Sequence, residues 1–598
     1  MAAQDVSALR EAREVAEWGV PTRRGNAIFQ AKVLCHRARR GVGNLFVGPA
    51  RLGKDAAPES PAVLGESRTP LWAAGVPEER RYELGKVHNL RRAAARIDGI
   101  VIPAGQVFGF WRQIGRVSRR RGFVNGRMLK EGCLVPAVGG GLCQLSNALY
   151  DAALQSGCEI VERHAHSRIV AGSAAAAGRD ATVAWNYVDL RFRAFAPLRI
   201  EVRLSADELI VRFHGQPGPG RTASGAPTNA PGDALPVARS CTTCGEVSCF
   251  RHESAPREEV TGCTAFLVDE NWPEFRDYVA ATRRGGDILG VPLDLGRHTP
   301  ARYRWGGDGF GRTGSAPLAA ILRAVTIRRA PAQGAARRQA ELAGTERIAA
   351  RLARLLTPEV TSVCVAQSLL PHLWRDGHFG GRRIEVLMTR LPMAELQNRL
   401  DHAFAEHPGR ATLGDFRASS TLVAAETEAL ALAARIITPH RDIAALFPGK
   451  ALLLDWRMPA PPAAAPAAPR PRRIAFPGPT VARKGAFELR DVAASLGLEV
   501  ALLGSELEGD AFWGDVSTCR PDSARRFDGI AAVVQPALVE DQPRHLLAAL
   551  DARVPVIATP ACGIGPHPLL TLVPAGDPRA LTAALAAVSG CAVPSEDR

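Results

Sequence analysis

Hydrophobic positions along the chain follow two regimes. Over residues 87–97 and 142–153 apolar side chains recur three and four apart, the spacing of an amphipathic helix. Between and after them lie short runs bracketed by proline and glycine, at 100–103, 107–111, 182–187, 190–195, 199–204 and 209–213, which read as strands. Together these predict an α+β domain over 84–215 in which the second helix packs on a sheet. Further on the pattern changes. Apolar runs at 266–269, 363–367, 384–388 and 436–438, then at 474–476, 500–503, 529–534 and 556–558, alternate with arginine- and alanine-rich helical stretches. Continuous apolar strands of that kind belong to parallel sheets covered on both faces. The expected fold class is therefore multidomain α/β: an α+β domain followed by two doubly wound, Rossmann-like domains.

Two low-complexity stretches divide these units. Residues 216–240 are rich in Gly, Pro, Ala and Thr and cannot bury a core, so they read as a flexible linker; 459–472 is a stiffer Pro/Ala linker. The remaining boundaries follow: an N-terminal helical or irregular segment over 1–83, a cysteine-rich segment over 241–263, and α/β domains over 264–458 and 473–590.

Charge adds less than it first promises. The formal net charge is +15, yet only six of the 75 basic residues are lysines, and the arginines are spread thinly. With aromatics at 6%, the chain lacks the stacking platforms of a nucleic-acid binder, and none is expected as a partner. Peripheral contact with an anionic membrane surface, or with sugar phosphates, fits the same charge. The N-terminal stretch has no apolar core and carries acids early, and no run is long enough to span a bilayer. Twelve cysteines in a chain of this length suggest a reducing compartment, so a cytoplasmic location is expected.

Candidate chemistry centres on residues 138–167. Gly139, Gly140 and Gly141 run into the second helix, placing Cys143 in its first turn, where free N–H groups and the helix dipole favour a thiolate. Ser146, Asn147 and Tyr150 follow on the same face. The next run, 159–167, puts His164 and His166 on one side. A cysteine at a helix start with histidines on the following strand suits a nucleophile and its base. The bland alternative is a helix–strand unit with a half-buried structural cysteine.

A second cluster is Cys241, Cys244 and Cys249, with His252 and Cys263 nearby. A Cys-x2-Cys pair turns both sulfurs toward one ion, and Cys249 with Cys263 or His252 completes four ligands. Zinc is expected, with an iron–sulfur cluster as the alternative and free thiols as the quiet reading.

The stretches VHNLRRAAARIDGIVIPAGQVFGFWRQIGR, GGGLCQLSNALYDAAL, RHAHS and DATVAWNYVDLRFR together resemble the VanW family, over about residues 84–215. The resemblance implies a cell-envelope role and cysteine-dependent acyl transfer of the peptidoglycan type, with a glycan or peptidoglycan precursor as partner. It would make Cys143 the nucleophile and His166 (less favourably His164) the base. Asp189 or Asp180 would orient the imidazole, and Arg191 would bind a substrate carboxylate. Asp189 and Arg191, two apart on one strand, can equally form a simple ion pair. His88 and Asn89 can cap a helix.

The stretches FPGPTVARKGAFELRDVA and QPALVEDQPRHLLAALDARVPVIAT resemble the donor domain of retaining, glycogen-synthase-like GT-B glycosyltransferases. That resemblance implies a nucleotide-diphosphate sugar held by Gly478, Arg483, Lys484 and Glu540. Two of the usual contacts differ: Pro479 stands where an arginine is common, and Ala548 where a second glutamate falls eight positions after Glu540. Asp541 or Asp551 could substitute, and His378, Arg390 and His440 could line the acceptor side. The leading expectation is an envelope-biosynthesis enzyme joining an acyl-transfer domain to a glycosyltransferase-like unit. The alternative is a non-catalytic glycan- or muropeptide-binding protein with a degenerate glycosyltransferase site.

Overall fold

The structure, a computed structural model, describes residues 23–54, 62–72, 79–130, 133–166, 178–216, 260–459, 467–509 and 511–590. Two compact units divide at about residue 262, with two short later segments, 357–361 and 377–382, belonging to the first.

In the first unit, helix α1 (Arg23–Val47) precedes strand β1 (Val63–Pro70), helix α2 (Arg80–Ile97), β2 (Val101–Ile102), β3 (Val107–Gly109) and the short α3 (Phe110–Ile114). The hairpin β4 (Asn125–Lys130) and β5 (Cys133–Val138) leads into α4 (Leu142–Gln155) and β6 (Glu159–Glu162). Strands β7 (Arg191–Arg193), β8 (Leu198–Leu204) and β9 (Glu208–Gly215) complete it. The main sheet has the order β1-β9-β8-β2, with β9 antiparallel to both neighbours; a smaller sheet runs β3-β7-β6. Strands β8 and β9 alternate strictly: Leu198, Ile200, Val202 and Leu204 face inward with Leu209, Val211 and Phe213. The outward row pairs Glu201 with Arg212 across the strands, so one face is apolar and the other charged. Helix α4 lies on β1 and β9, and α2 on β4 and β8, enclosing one core around Leu90, Leu145, Leu149, Phe192 and Phe213.

The second unit holds two parallel sheets. The first is built from β10 (Cys263–Leu267), β11 (Ile288–Val291), β12 (Arg312–Ser315), β13 (Val360–Ala366), β14 (Arg383–Leu387), β15 (Arg435–Thr438) and β16 (Ala451–Leu453). Among its helices are α5 (Pro273–Thr282), α6 (Pro317–Arg329), α7 (Ala335–Leu352), α8 (Leu370–Arg375), α9 (Met393–Glu406), α10 (Ser420–Leu432) and α11 (Arg441–Ala445). Its order, β12-β11-β10-β13-β14-β15-β16, reverses direction between β10 and β13. The second sheet comprises β17 (Arg473–Phe476), β18 (Glu499–Leu502), β19 (Thr518–Cys519), β20 (Ala532–Gln535), β21 (Val556–Ala558) and β22 (Leu570–Leu572). Helices α12 (Ala486–Leu496), α13 (Arg544–Asp551) and α14 (Pro578–Ser589) accompany it, and the order β19-β18-β17-β20-β21-β22 reverses between β17 and β20. Both sheets are doubly wound, and such reversals open a crevice at the carboxyl ends of the strands.

The expected strands of the second unit fall on observed ones, because each is fully buried and needs an unbroken apolar run. Four elements of the first unit went unforeseen: the short helix α3, whose first residues read as the end of a strand, and the strands β1, β4 and β5. Their residues, such as GESRTP and NGRMLK, are polar because each strand leaves one side toward water. The 182–187 run is a tight turn rather than a strand, closed by an isolated bridge between Ala184 and Val188. Among the described residues, no helix is long and apolar enough to cross a membrane.

Candidate active site

The three glycines before α4 each answer a separate demand. Gly139 and Gly141 have φ of 82° and 99°, left-handed values that suit glycine. A Cβ on Gly140 would lie 2.3 Å from the Gly126 carbonyl oxygen, so the turn needs close backbone approach instead. The buried Asn89 amide locks this arrangement from α2. Its Nδ2 donates to the carbonyls of Val124 (3.0 Å) and Gly140 (3.0 Å), and its Oδ1 accepts from the Val124 N–H at 3.0 Å. Asn89 is therefore a mid-helix clamp rather than a helix cap. Asn89→Ala leaves those buried backbone groups unpaired and is expected to cost about 3 kcal/mol in urea denaturation.

Cys143 follows, half-buried, in the first turn of α4. Its Sγ lies 3.7 Å from Thr182 Oγ1 and 3.8 Å from the Val183 carbonyl oxygen. His166 Nδ1 is 2.5 Å from Asp180 Oδ1, and Asp180 Oδ2 accepts the His166 backbone N–H at 2.5 Å. The ring is thus tied to Asp180 through Nδ1. Burial pulls the imidazolium down, but the bonds to Asp180 and the sulfur raise it well above its ordinary value. Burial pushes the thiol up, and His166 more than reverses this, so its net direction is down. Both directions favour the charged forms of the sulfur and the imidazole, beside a buried carboxylate.

The helix face around Cys143 positions that carboxylate. Ser146 Oγ donates to the Ala181 carbonyl at 2.5 Å, and Asn147 Oδ1 accepts the Ala181 N–H at 2.8 Å. Both therefore grip the chain one residue after Asp180. Tyr150 packs under the Arg163 guanidinium, 5.4 Å from its ring centroid. Lys86 lies against Gly141, where a Cβ would meet its Cγ at 2.2 Å, and burial draws its ammonium down to about 8.

Asp180, not Asp189, sits on the imidazole. Asp189 accepts the N–H groups of Trp111 and Leu190, each at 3.1 Å, and Arg191 Nε at 3.0 Å. Arg191 also reaches Asn44 Oδ1 at 2.7 Å and Glu162 at 3.4 Å, and Arg40 closes on Glu162. Asp189 and Arg191 therefore form an internal charge cluster, separate from the sulfur. His164 is exposed beside Glu162. Asp180 could not be favoured over Asp189 from sequence, because neither has a periodic relation to His166.

In the second unit, Gly478, Lys484 and Glu540 converge where the second sheet reverses. A Cβ on Gly478 would meet Gln535 Nε2 at 3.3 Å and the Lys484 Cβ at 3.5 Å. Lys484 Nζ lies 3.0 Å from Glu540 Oε2, which Gln535 also contacts. Arg483 points elsewhere: its guanidinium stacks on Phe416, 4.6 Å from the ring centroid, and reaches Asp415 at 3.8 Å. Glu508 was not foreseen. Its Oε1 accepts the Ala482 N–H at 3.0 Å and the Thr412 hydroxyl at 2.5 Å, putting a carboxylate on the turn that carries Arg483 and Lys484.

Ala548 is buried in the core on α13, so a glutamate there would not face the crevice. Asp551 closes the same helix at its far end, while Asp541 lies 3.8 Å from Arg390. His440 caps α11 with Nδ1 and donates Nε2–H to the Glu540 carbonyl at 2.8 Å, so it bridges the two sheets. Cys241, Cys244, Cys249 and His252 lie outside the described residues, and Cys263 opens β10. Among the described residues no group of three or more His, Cys, Asp or Glu is placed to hold a metal ion.

Comparison with known proteins places a VanW domain in the first unit: the family model described as "VanW like protein" matches residues 85–214. The uncharacterized protein YoaR of Bacillus subtilis is 37% identical over 106 residues, covering 18% of this chain and 34% of that protein. The vancomycin B-type resistance protein VanW of Enterococcus faecalis is 28% identical over 153 residues, covering 25% of this chain and 55% of its own length. The chain thus spans between a third and just over half of these relatives. Structural neighbours of the C-terminal part are GT-B glycosyltransferases. Sucrose-phosphate synthase from Thermosynechococcus elongatus aligns with a TM-score of 0.35 at 15% identity, over 55% of this chain and 90% of that one. The lipopolysaccharide outer core galactosyltransferase WaaB gives 0.32 at 13%, with the same coverages.

Proposed function

We propose that this protein serves the cell envelope and that Cys143 is the nucleophile of an acyl transfer or hydrolysis in its VanW domain. The Cys143–His166–Asp180 set carries the reading: Asp180 is bonded to the His166 ring as an orienting carboxylate to a base, and that imidazole draws the Cys143 thiol down. The thiolate attacks a substrate carbonyl, and the N–H groups of the first turn of α4 face the developing oxyanion. Imidazolium protonates the leaving amine as the C–N bond breaks, leaving a thioester and neutral His166. His166 then takes a proton from an incoming amine or water, which displaces the thiolate. Peptide mapping after iodoacetamide at neutral pH tests this: Cys143 is expected to be labelled well before the buried Cys364 and Cys562. Labelling of Cys143 behind Cys364 would sink the reading.

For the second unit, the GT-B resemblance supports recognition of a nucleotide-diphosphate sugar through Lys484, Glu540 and Gly478. One observation weighs against nucleotide binding by the wild type. The Glu508 carboxylate already occupies the Ala482 N–H, and a diphosphate arriving there would meet its charge. Uridine or guanosine diphosphate is therefore expected to leave the melting temperature of the wild type unchanged. In Glu508→Gln, nucleotide at about 100 times its Kd should stabilise by about 2.7 kcal/mol. A comparable rise in the wild type would restore the transferase reading.

A further inference from the structure

The Ala184–Val188 turn meets the sulfur at its base and a cavity at its tip. That cavity, of about 120 Å³, lies between Trp111, Trp185, Tyr187, Asn44, Arg112 and Arg191. We propose that it is a saccharide subsite selective for a carboxylated pyranose.

Its walls are built for an amphipathic ring. Trp111 is pinned by donation from Nε1 to the Val188 carbonyl at 2.8 Å, and Trp185 stands edge-on to it at 5.4 Å. Trp185 and Tyr187 remain half-buried, so their ring surfaces are neither packed away nor fully in water. Such surfaces take the C–H face of a sugar, while the indole N–H of Trp185 and the Asn44 amide suit its hydroxyls. Asn186, at the tip, is held at a φ of 59°, and its Nδ2 donates to the Arg37 carbonyl at 3.0 Å. A turn kept in that conformation fixes the rings on either side. The cavity is less than about half the size of a small drug pocket, which limits it to about one ring.

Charge sets the selectivity. Arg191 and Arg40 are satisfied by Asp189, Glu162 and Asn44, so their charges are balanced locally. Arg112 is exposed at the rim and makes no ion pair or hydrogen bond among the described residues. Arg37 adds a second cation, 5.8 Å from the Tyr187 ring centroid. A guanidinium without an anionic partner among the described residues, set beside an aromatic wall, selects a carboxylate. Trp185 is two residues, at most about 7 Å of chain, from Val183, whose carbonyl lies 3.8 Å from the Cys143 sulfur. The subsite's purpose would be to hold the sugar part of an acyl substrate of Cys143. That purpose rests on the nucleophile reading; the binding does not.

Saturation-transfer difference NMR on the full chain, with glucuronate and glucose as a pair differing in the carboxylate, tests the subsite. Glucuronate is expected to bind about tenfold more tightly than glucose, a preference worth one guanidinium–carboxylate contact. Arg112→Gln should erase the preference, Trp185→Ala should remove both signals, and Trp185→Phe should keep them. No signal from either sugar, or equal binding by wild type and Arg112→Gln, would overturn the proposal. Fast alkylation of Cys143 without sugar binding would defeat the subsite alone. Sugar binding with an inert Cys143 would defeat the nucleophile alone.

Discussion

His166→Gln is expected to slow alkylation of Cys143 at pH 7 by about a hundredfold, the usual loss when a positioned acid–base partner is removed. The reason lies in two opposed influences on the sulfur. Burial favours the neutral thiol; the imidazolium bond and charge favour the thiolate and prevail. Glutamine leaves the burial and removes the cation, so the titration midpoint of the thiol should move from below its ordinary range to above it. The ratio of wild-type to variant rates should be largest on the acid side, where the lowered thiol of the wild type ionises ahead of the variant's, and should close as pH rises and both ionise. Asp180→Asn should shift the same profile less, since the ring keeps its place beside the sulfur but loses the charge at Nδ1. An unshifted midpoint in His166→Gln would show that the sulfur and imidazole do not act as a pair.

Much of this site was legible in the sequence. The glycines and the helix spacing after them placed Cys143 in the first turn, because local periodicity fixes a position relative to the helix start; the expected strand over 159–167 ends at Glu162, so periodicity does not place His166. Asp180 was legible only as one of two choices. Its role depends on Ser146 and Asn147 gripping the backbone of Ala181, a long-range contact without a periodic signature. Asp189 looked equally suited by spacing, but the N–H groups of Trp111 and Leu190 claim it, and those are set by how α3 meets the small sheet. The parallel strands of the second unit were readable for the opposite reason: a strand buried on both faces must be apolar throughout. The Glu508 carboxylate was invisible, since the residue that opposes a phosphate turn in space need not lie near it in sequence.

Arg544→Ala should destabilise the second unit by about 3 kcal/mol, the penalty for stranding a buried charge. Arg544 begins α13, beside the second sheet, and donates from Nη1 and Nη2 to the two oxygens of Glu274 on α5, each at 2.7 Å. Glu274 is buried, and the Arg457 N–H also donates to it at 2.7 Å. The guanidinium lies 5.4 Å and 5.2 Å from the ring centroids of Trp272 and Trp456, which limits its access to water. This forked contact fastens the two sheets to each other, so Arg544→Lys, which keeps the charge but not the fork, should recover only part of the loss. Burial pushes the Glu274 carboxyl up, and the bonds from Arg544 and the Arg457 amide bring it below its ordinary value. A lowered carboxyl contributes stability above its unfolded value of about 4.3, and that stability is lost as pH falls through the lower folded value. In Arg544→Ala the same burial acts without the guanidinium, so the carboxyl should rise and the variant should gain relative stability on acidification. Urea denaturation at pH 7 and at pH 4 separates the causes. A deficit that narrows at the lower pH assigns the loss to the stranded charge, whereas an equal deficit at both would assign it to the stacking of Arg544 on Trp272 and Trp456.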